Sequence, residues 1–589
     1  ALLRKILWLC EQVEGHYQQE KEGLGLLDFE DLQLKTLELL KNHADIRNTL
    51  RNRYRFIMVD EFQDTNQLQW DIISRIATHE GKLESQKLFV VGDPKQSIYG
   101  FRSADVRVFQ RVKESFGGPE NNIVLGESFR FLPGLNTFIN RLFRTVLGDA
   151  AGNEFEVPYD HLETRREAQD NSRMELAILD PEWLRENQLS QEHYLASRIR
   201  RLLDDKVPVN RRGPDGEALQ AIRPGDIAIL IPRRTHLLRL ESTLREYGVP
   251  FKTIGGVGFY RRQEVFDVYH LLRVLDNPGD DLALVALLRS PFAGISDVGL
   301  YFLASEKGET YREKLEALKP YGDYSPEDLE QLMLFRGQLT RWEQRRDRLS
   351  LSQLLNEIFD ESFYRASLAA EWNGEQLLAN LDKITEMARD YEQSGFTALA
   401  DFFESLQQII DLDPREGEAQ IALEDENTIK IMTIHQSKGL EFPVVFCPYL
   451  DDPARPDIRQ LRFESDLGLA VKLRDAGQQY QLTAPYLFQL IDARQKQKIQ
   501  AERKRLFYVV VTRARDQVFL SGVGNPRGLT GETALGWAVQ AMGLDPEAIP
   551  EGEFLWDGQL CINILQRFEA NRPAPAGEVD PAAAVAGFR

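Results

Sequence analysis

Short apolar runs that stop abruptly at acidic residues constrain this chain more than any other feature. Tyr54-Arg55-Phe56-Ile57-Met58-Val59 reads as a short buried strand halted by Asp60-Glu61, and Lys87-Leu88-Phe89-Val90-Val91 as a second, halted by Gly92-Asp93-Pro94. Helix-like segments separate them at about the spacing of βαβ units, which predicts an α/β fold with a parallel sheet. Further buried strands are expected at residues 226–231, 429–434, 444–446 and 518–520. Residues 1–50 carry Leu and Ile at helical spacing, broken by Gly23-Leu24-Gly25. From about 281 to 426 the pattern is helical alone, which predicts an inserted domain between two strand-bearing stretches. Pro573, Pro575 and Pro581, set among Ala and Gly, read as a flexible linker.

With 589 residues the chain has room for three or four domains of ordinary size. Cys10, Cys447 and Cys561 lie far apart with no CxxC pair, which excludes a disulfide scaffold or zinc knuckle and fits a reducing compartment. The eight histidines form no HExxH or i,i+4 pair, so no metal other than Mg²⁺ is expected. No apolar run approaches the ~20 residues that span a bilayer, and the expected location is cytoplasmic, with no membrane partner. Acidic residues outnumber basic ones by 92 to 72, a net charge of −20, which argues against a coat that binds nucleic acid by charge alone. A single local basic groove in a large enzyme remains compatible with that balance.

Ligands in α/β sheets bind beyond the carboxyl ends of the strands, where Asp60 and Glu61 are expected. A strand ending in two carboxylates can serve nucleotide hydrolysis. The first reaches Mg²⁺, directly or through water, and the second takes a proton from the water attacking the γ-phosphate. The plainer reading of such a pair is a solvated turn. After the second strand, Gln96 can touch both a phosphate and a neighbouring strand loop, while Tyr99 and Phe101 offer faces for base stacking or for a core.

These two blocks, followed by Leu125-Gly126-Glu127-Ser128-Phe129-Arg130, resemble motifs II, III and IV of the UvrD/Rep-like superfamily 1 DNA helicases. Phe259-Tyr260-Arg261-Arg262-Gln263-Glu264-Val265 and Asp276-Asn277-Pro278-Gly279-Asp280-Asp281 resemble the stretch leading into that family's inserted domain. The run from Met432 to Phe442, with His435 and Glu441, resembles motif V, and the run from Arg505 to Ala514 resembles motif VI. Order and separation match over about residues 25–525, and the wording is most similar to the AddA/RecB helicase-nuclease branch.

The resemblance implies two RecA-like P-loop NTPase lobes with a mainly helical insertion. The first lobe (1–124) would be incomplete and the second split (125–280 and 427–530). The insertion would span 281–426, and 531–589 would form a C-terminal extension and linker. It implies ATP and Mg²⁺ as cofactors, with Asp60 on the metal, Glu61 as base, Gln96 as γ-phosphate sensor, and Arg130 and Arg513 as arginine fingers. Phe129 would stack on adenine, with Phe in place of the commoner Tyr, and Glu441 would lie near the ribose and phosphates. Tyr99, Phe101 and His435 would meet single-stranded DNA. The implied activity is ATP-dependent 3′-to-5′ translocation on single-stranded and duplex DNA in recombination and repair, beside a second helicase-nuclease subunit.

The sequence departs from that pattern at motif I. No GxxxxGK[ST] occurs: Gly81-Lys82 is followed by Leu, Gly255-Gly256-Val257-Gly258 lacks Lys-Ser/Thr, and Ser437-Lys438-Gly439 runs in the wrong order. The expectation is an N-terminally truncated sequence that hydrolyses ATP poorly by itself. A catalytically inactive helicase-like scaffold is the rival reading, and a single-strand binding module a third. Glu464, Asp466 and Lys472 read as strand and turn rather than nuclease, and Arg503-Lys504-Arg505 as a solvated helix face rather than a DNA patch.

Overall fold

A computed structural model of the chain describes residues 2–79, 82–213, 216–254, 259–319, 323–371, 374–393, 399–412, 427–454, 458–475, 480–525, 529 and 531–570. Gly81, Gly255-Gly256-Val257-Gly258 and the proline-rich end lie outside these residues. The chain divides into two compact units, Ala1–Phe251 with Glu426–Arg589, and Lys252–Asp425.

Two parallel sheets of the larger unit carry most of the motif loops, beside several short two-stranded pairs. Strands β1 (Ile57–Val59) and β2 (Leu88–Val90) pair in parallel, Ile57 opposite Leu88. The larger sheet takes strands β3 (Arg173–Leu179), β4 (Ile227–Ile231), β5 (Phe251–Thr253, on which the chain passes into the second unit), β6 (Ile429–Thr433), β7 (Phe442–Cys447), β8 (Ala514–Val523), β9 (Gly552–Trp556) and β10 (Leu560–Leu565). Their order is β5-β6-β4-β7-β8-β3-β10-β9. The pairings running from β6 across to β10 are parallel, and the β9–β10 hairpin closes one edge antiparallel. All five residues of β4 are buried, the continuous apolar run typical of a parallel strand covered on both faces. Helices Gln191–Asp204 and Leu237–Glu246 cover one face through Tyr194, Leu195, Ile199, Leu240 and Leu244.

Two expectations from sequence need correction, and one strand lies outside them. The strands β1 and β2 are not buried: Met58 is 78% and Phe89 55% exposed, because nothing among the described residues covers that face. Arg503-Lys504-Arg505 is not a solvated face. Arg505 is buried and donates to the carbonyls of Ser97 and Phe155, Lys504 pairs with Glu156, and Arg503 reaches the carbonyls of Asp452 and Glu532. Strand β3 was not foreseen, since Glu175 interrupts its apolar run. That carboxylate is buried and satisfied by Arg198, Tyr194 and Asn563.

The second unit is helical in its described residues beyond Thr253. Its core gathers Leu271, Leu284, Phe335, Trp342, Phe359 and Tyr364 from helices between Gln263 and Leu412. Asp328, in the first turn of helix Pro326–Arg345, accepts from the hydroxyls of Ser325 and Ser296 and from the Ser296 N–H, a buried carboxylate made tolerable by its donors.

Candidate functional site

The loop after β1 is built around two buried side chains. Phe62 is buried against Trp70, Val108, Phe109 and Val112 and anchors the turn. Gln63, also buried, accepts at Oε1 from the Asp93 N–H (2.9 Å) and at its carbonyl from the Ser97 hydroxyl (2.9 Å). It thereby ties this loop to the one after β2. Gly92 is required by the close approach: a Cβ there would lie 2.3 Å from Gln63 Oε1. Glu61 sits in the left-handed region at φ 50°, a conformation that costs a non-glycine residue ~1–3 kcal/mol and that clusters at functional sites.

Asp60 and Glu61 are both exposed at the strand end. Asp60 Oδ1 accepts the Glu61 N–H at 2.8 Å, the only hydrogen bond its side chain makes among the described residues, so its second oxygen is available to a hard cation. The Glu61 carboxylate accepts from Gln63 Nε2 and lies 3.5 Å from the Lys438 ammonium, which also pairs with Asp64. Burial pushes the Asp64 carboxyl up, and Lys438 opposes that shift.

Gln96 is held from two sides. Its Nε2 donates to Asp93 Oδ2 (3.1 Å), and its Oε1 accepts from Arg513 Nη2 (3.3 Å). Arg513 is almost fully buried, and that burial brings its pKa down to about 10. It spends its other donors on the carbonyls of Val509 and Leu440. Arg130 donates to Glu441 Oε2 (2.8 Å) and to the Thr512 carbonyl (3.1 Å). Asp93, Gln96, Phe129, Arg130, Glu441 and Thr512 line a cleft of about 470 Å³. Phe129 is 72% exposed and offers its ring face there. Asp60, Glu61 and Arg513 are not among the residues lining that cleft.

Beside this cleft Tyr99, Phe101 and His435 form an aromatic cluster, with ring centroids 5.8, 6.0 and 5.4 Å apart. The Tyr99 hydroxyl donates to the His435 carbonyl at 3.2 Å. The Arg102 guanidinium lies over both aromatic rings and Lys438 over Tyr99, cation–π contacts that keep positive charge at the cluster. Burial lowers the His435 pKa, so its imidazole is neutral at pH 7.

Ten residues singled out from sequence therefore fall into three neighbourhoods: Asp60 and Glu61 at the strand end; Gln96, Phe129, Arg130, Glu441 and Arg513 in or behind the cleft; and Tyr99, Phe101 and His435 in the cluster. Two residues of the same neighbourhoods were missed. Lys438 touches the first and third, and Gln63 joins the loops. Both lie inside segments already conspicuous in sequence, but only the fold shows what they contact. A cleft with a guanidinium, a side-chain amide and an exposed aromatic ring has the chemistry to take a nucleotide, while at the strand end Asp60 offers one free carboxylate oxygen and no group of three or more metal-ligating side chains occurs among the described residues.

The UvrD/REP helicase N-terminal domain matches residues 8–117, and the UvrD-like helicase C-terminal domain matches residues 216–524. Among curated proteins, the AddA subunit of the ATP-dependent helicase/nuclease of Ligilactobacillus salivarius is 30% identical over 562 residues, covering 87% of this chain and 43% of its own length. The proteins of the same name from Natranaerobius thermophilus and Listeria innocua are 28% and 29% identical, covering 89% and 87% of this chain and 43% of their own lengths. The chain thus spans less than half the length of these relatives. Its sheets and motif loops are RecA-like in kind, and the chain belongs to the UvrD/REP-like helicase family.

Proposed function

We propose that this chain is the motor portion of an ATP-driven DNA helicase that moves 3′ to 5′, works in the cytoplasm in recombination and repair, and belongs to a helicase-nuclease with a second subunit. The observation that carries the reading is the double hold on Gln96. One amide joins the loop after β2 to Arg513, at the mouth of a cleft that offers Phe129, Arg130 and Glu441. A residue gripped from both sides can report the state of a phosphate to both.

In this reading Asp60 would hold Mg²⁺, which supplies charge neutralisation for the phosphates. Glu61 takes the proton of the attacking water, for which its carboxylate leaves Lys438 and Gln63. Arg130, now paired with Glu441, turns to the γ-phosphate, and Gln96 orients beside it. Arginine contacts of this kind are worth ~10³–10⁵ in rate. Arg513 acts from behind the cleft by holding Gln96. Phe129 stacks on the base. Tyr99, Phe101 and His435 hold unstacked DNA bases, each worth ~1–3 kcal/mol and tolerant of any sequence. Such stacking lets a chain of net charge −20 grip DNA through a narrow platform instead of a basic surface.

The test is ATP hydrolysis by the natural full-length protein, with and without single-stranded DNA, beside Glu61→Gln. The expected result is DNA-stimulated turnover that falls by ~10²–10⁴ in the variant, the range ascribed to a general base. Absence of turnover in both proteins would replace the motor by a DNA- or partner-binding scaffold.

A further inference from the structure

The long helix Tyr486–Val511 grips the loop between the cleft and the aromatic cluster at successive backbone positions. Arg505 Nε donates to the Ser97 carbonyl at 2.7 Å, and its Nη1 to the Phe155 carbonyl at 2.7 Å. Three residues earlier on the same helix face, Glu502 Oε1 accepts the Gly100 N–H at 2.9 Å. Just past the helix, Arg513 holds Gln96. The fit at Gly100 is close, since a Cβ there would stand 2.6 Å from Glu502 Oε2.

These three contacts bracket a short stretch of chain. At one end is Gln96, which faces the cleft, and at the other are Tyr99 and Phe101, which carry the aromatic faces. Between them the Ser97 carbonyl is fixed by the buried Arg505 and the Gly100 N–H by the partly buried Glu502. Burial raises the Glu502 carboxyl and brings Arg505 down to about 10, so both groups are kept inside at a cost that only their partners offset. A solvated basic stretch would carry no such constraint.

We infer that Glu502 and Arg505 are positioning residues that couple nucleotide in the cleft to bases on Tyr99 and Phe101, by fixing the backbone from Ser97 to Gly100. The inference rests on the motor reading and adds residues outside its site. A shift of the helix relative to the strand-end loops moves both ends of this stretch together, because the intervening backbone has no freedom to absorb it.

The experiment measures DNA-free turnover, oligo-dT-stimulated turnover and oligo-dT affinity for the full-length protein and for Glu502→Ala, Glu502→Gln and Gly100→Ala. In Glu502→Ala the stimulated rate is expected to fall about tenfold, the scale of one lost hydrogen bond to a charged group, while the DNA-free rate stays within about twofold. Glu502→Gln keeps an oxygen that accepts from Gly100, and its stimulation is expected to stay close to wild type. Gly100→Ala, which pushes against the same carboxylate, is expected to lose stimulation as Glu502→Ala does, and it carries the test should Glu502→Ala not fold. Full stimulation in Glu502→Ala would overturn the inference, as would equal loss of both rates or a Glu502→Gln variant as impaired as Glu502→Ala. A wild-type protein whose turnover ignores DNA would sink the motor reading itself, an outcome separable from these because it needs no variant.

Discussion

Two parallel sheets of the larger unit, the β1–β2 pair and the large sheet, use the same kind of apolar strand under opposite conditions. In β4 every residue from Ile227 to Ile231 is buried, flanked by β6 and β7 and covered by helices. In the β1–β2 pair, Met58 and Phe89 stand largely in solvent on one face, although Phe62 just beyond is buried. Both sheets nevertheless deliver loops with charged or polar side chains at their carboxyl ends. An apolar run thus records a strand's demand for cover, while the neighbours present decide whether that demand is met. Placement of the end loops depends on anchors such as Phe62 and Gln63 rather than on burial of the whole strand.

That contrast can be broken by mutation. Phe446 in β7 is fully buried and stacks on Phe519 at 4.5 Å, so Phe446→Ala is expected to cost ~3–5 kcal/mol of stability in denaturant unfolding. A loss below ~1 kcal/mol would show that the covered sheet is no more committed than the open one. A smaller effect is expected where the two regions meet. Burial holds the His435 imidazole below its ordinary ~6.5, so between those values the unfolded chain binds more protons than the folded one. Its contribution to stability is complete above ~6.5 and declines as pH falls through the lower folded value. His435→Asn should flatten that decline in unfolding midpoints recorded from pH 7.5 down to 5.5, and an unchanged slope would exclude His435 as its source. The smallest effect belongs to the open face: Met58→Ser should change stability by no more than ~0.5 kcal/mol, and a cost above ~2 kcal/mol would mean that the face is covered in solution.

The covered strands were legible from sequence nearly to the residue. Ile227–Ile231 is an uninterrupted aliphatic run and Ile429–Thr433 is broken only by Lys430, and strands buried within a parallel sheet are what such runs build. Strand β3 was hidden because Glu175 breaks its run, and the side chains that make a buried carboxylate acceptable lie elsewhere in the chain, at Arg198, Tyr194 and Asn563. The β9–β10 hairpin is not apparent in sequence for a related reason: its burial alternates instead of running continuously, and only its pairing with β3 gives it a place in the sheet. At the candidate site the motif residues announced themselves through type and order. The contacts that organise them did not. Lys438 and Glu502 are a lysine beside a glycine and a glutamate in a charged helix until the fold sets one against Glu61 and the other against Gly100.

The strand order of the large sheet has a consequence for how the protein is made. Both neighbours of β4 come from beyond the helical unit, so the ribosome must add the nearly two hundred residues between Ile231 and Ile429 before either edge of β4 can be paired. At ~5–20 residues per second that is a wait of ~10–40 s, with one of the most apolar segments of the chain bearing two unsatisfied edges. The helical unit is synthesised during that interval and, as a compact unit with its own core, can pack before β6 emerges. A nascent chain of this design is therefore a natural client for chaperones that hold exposed β-edges until β6 and β7 have been synthesised.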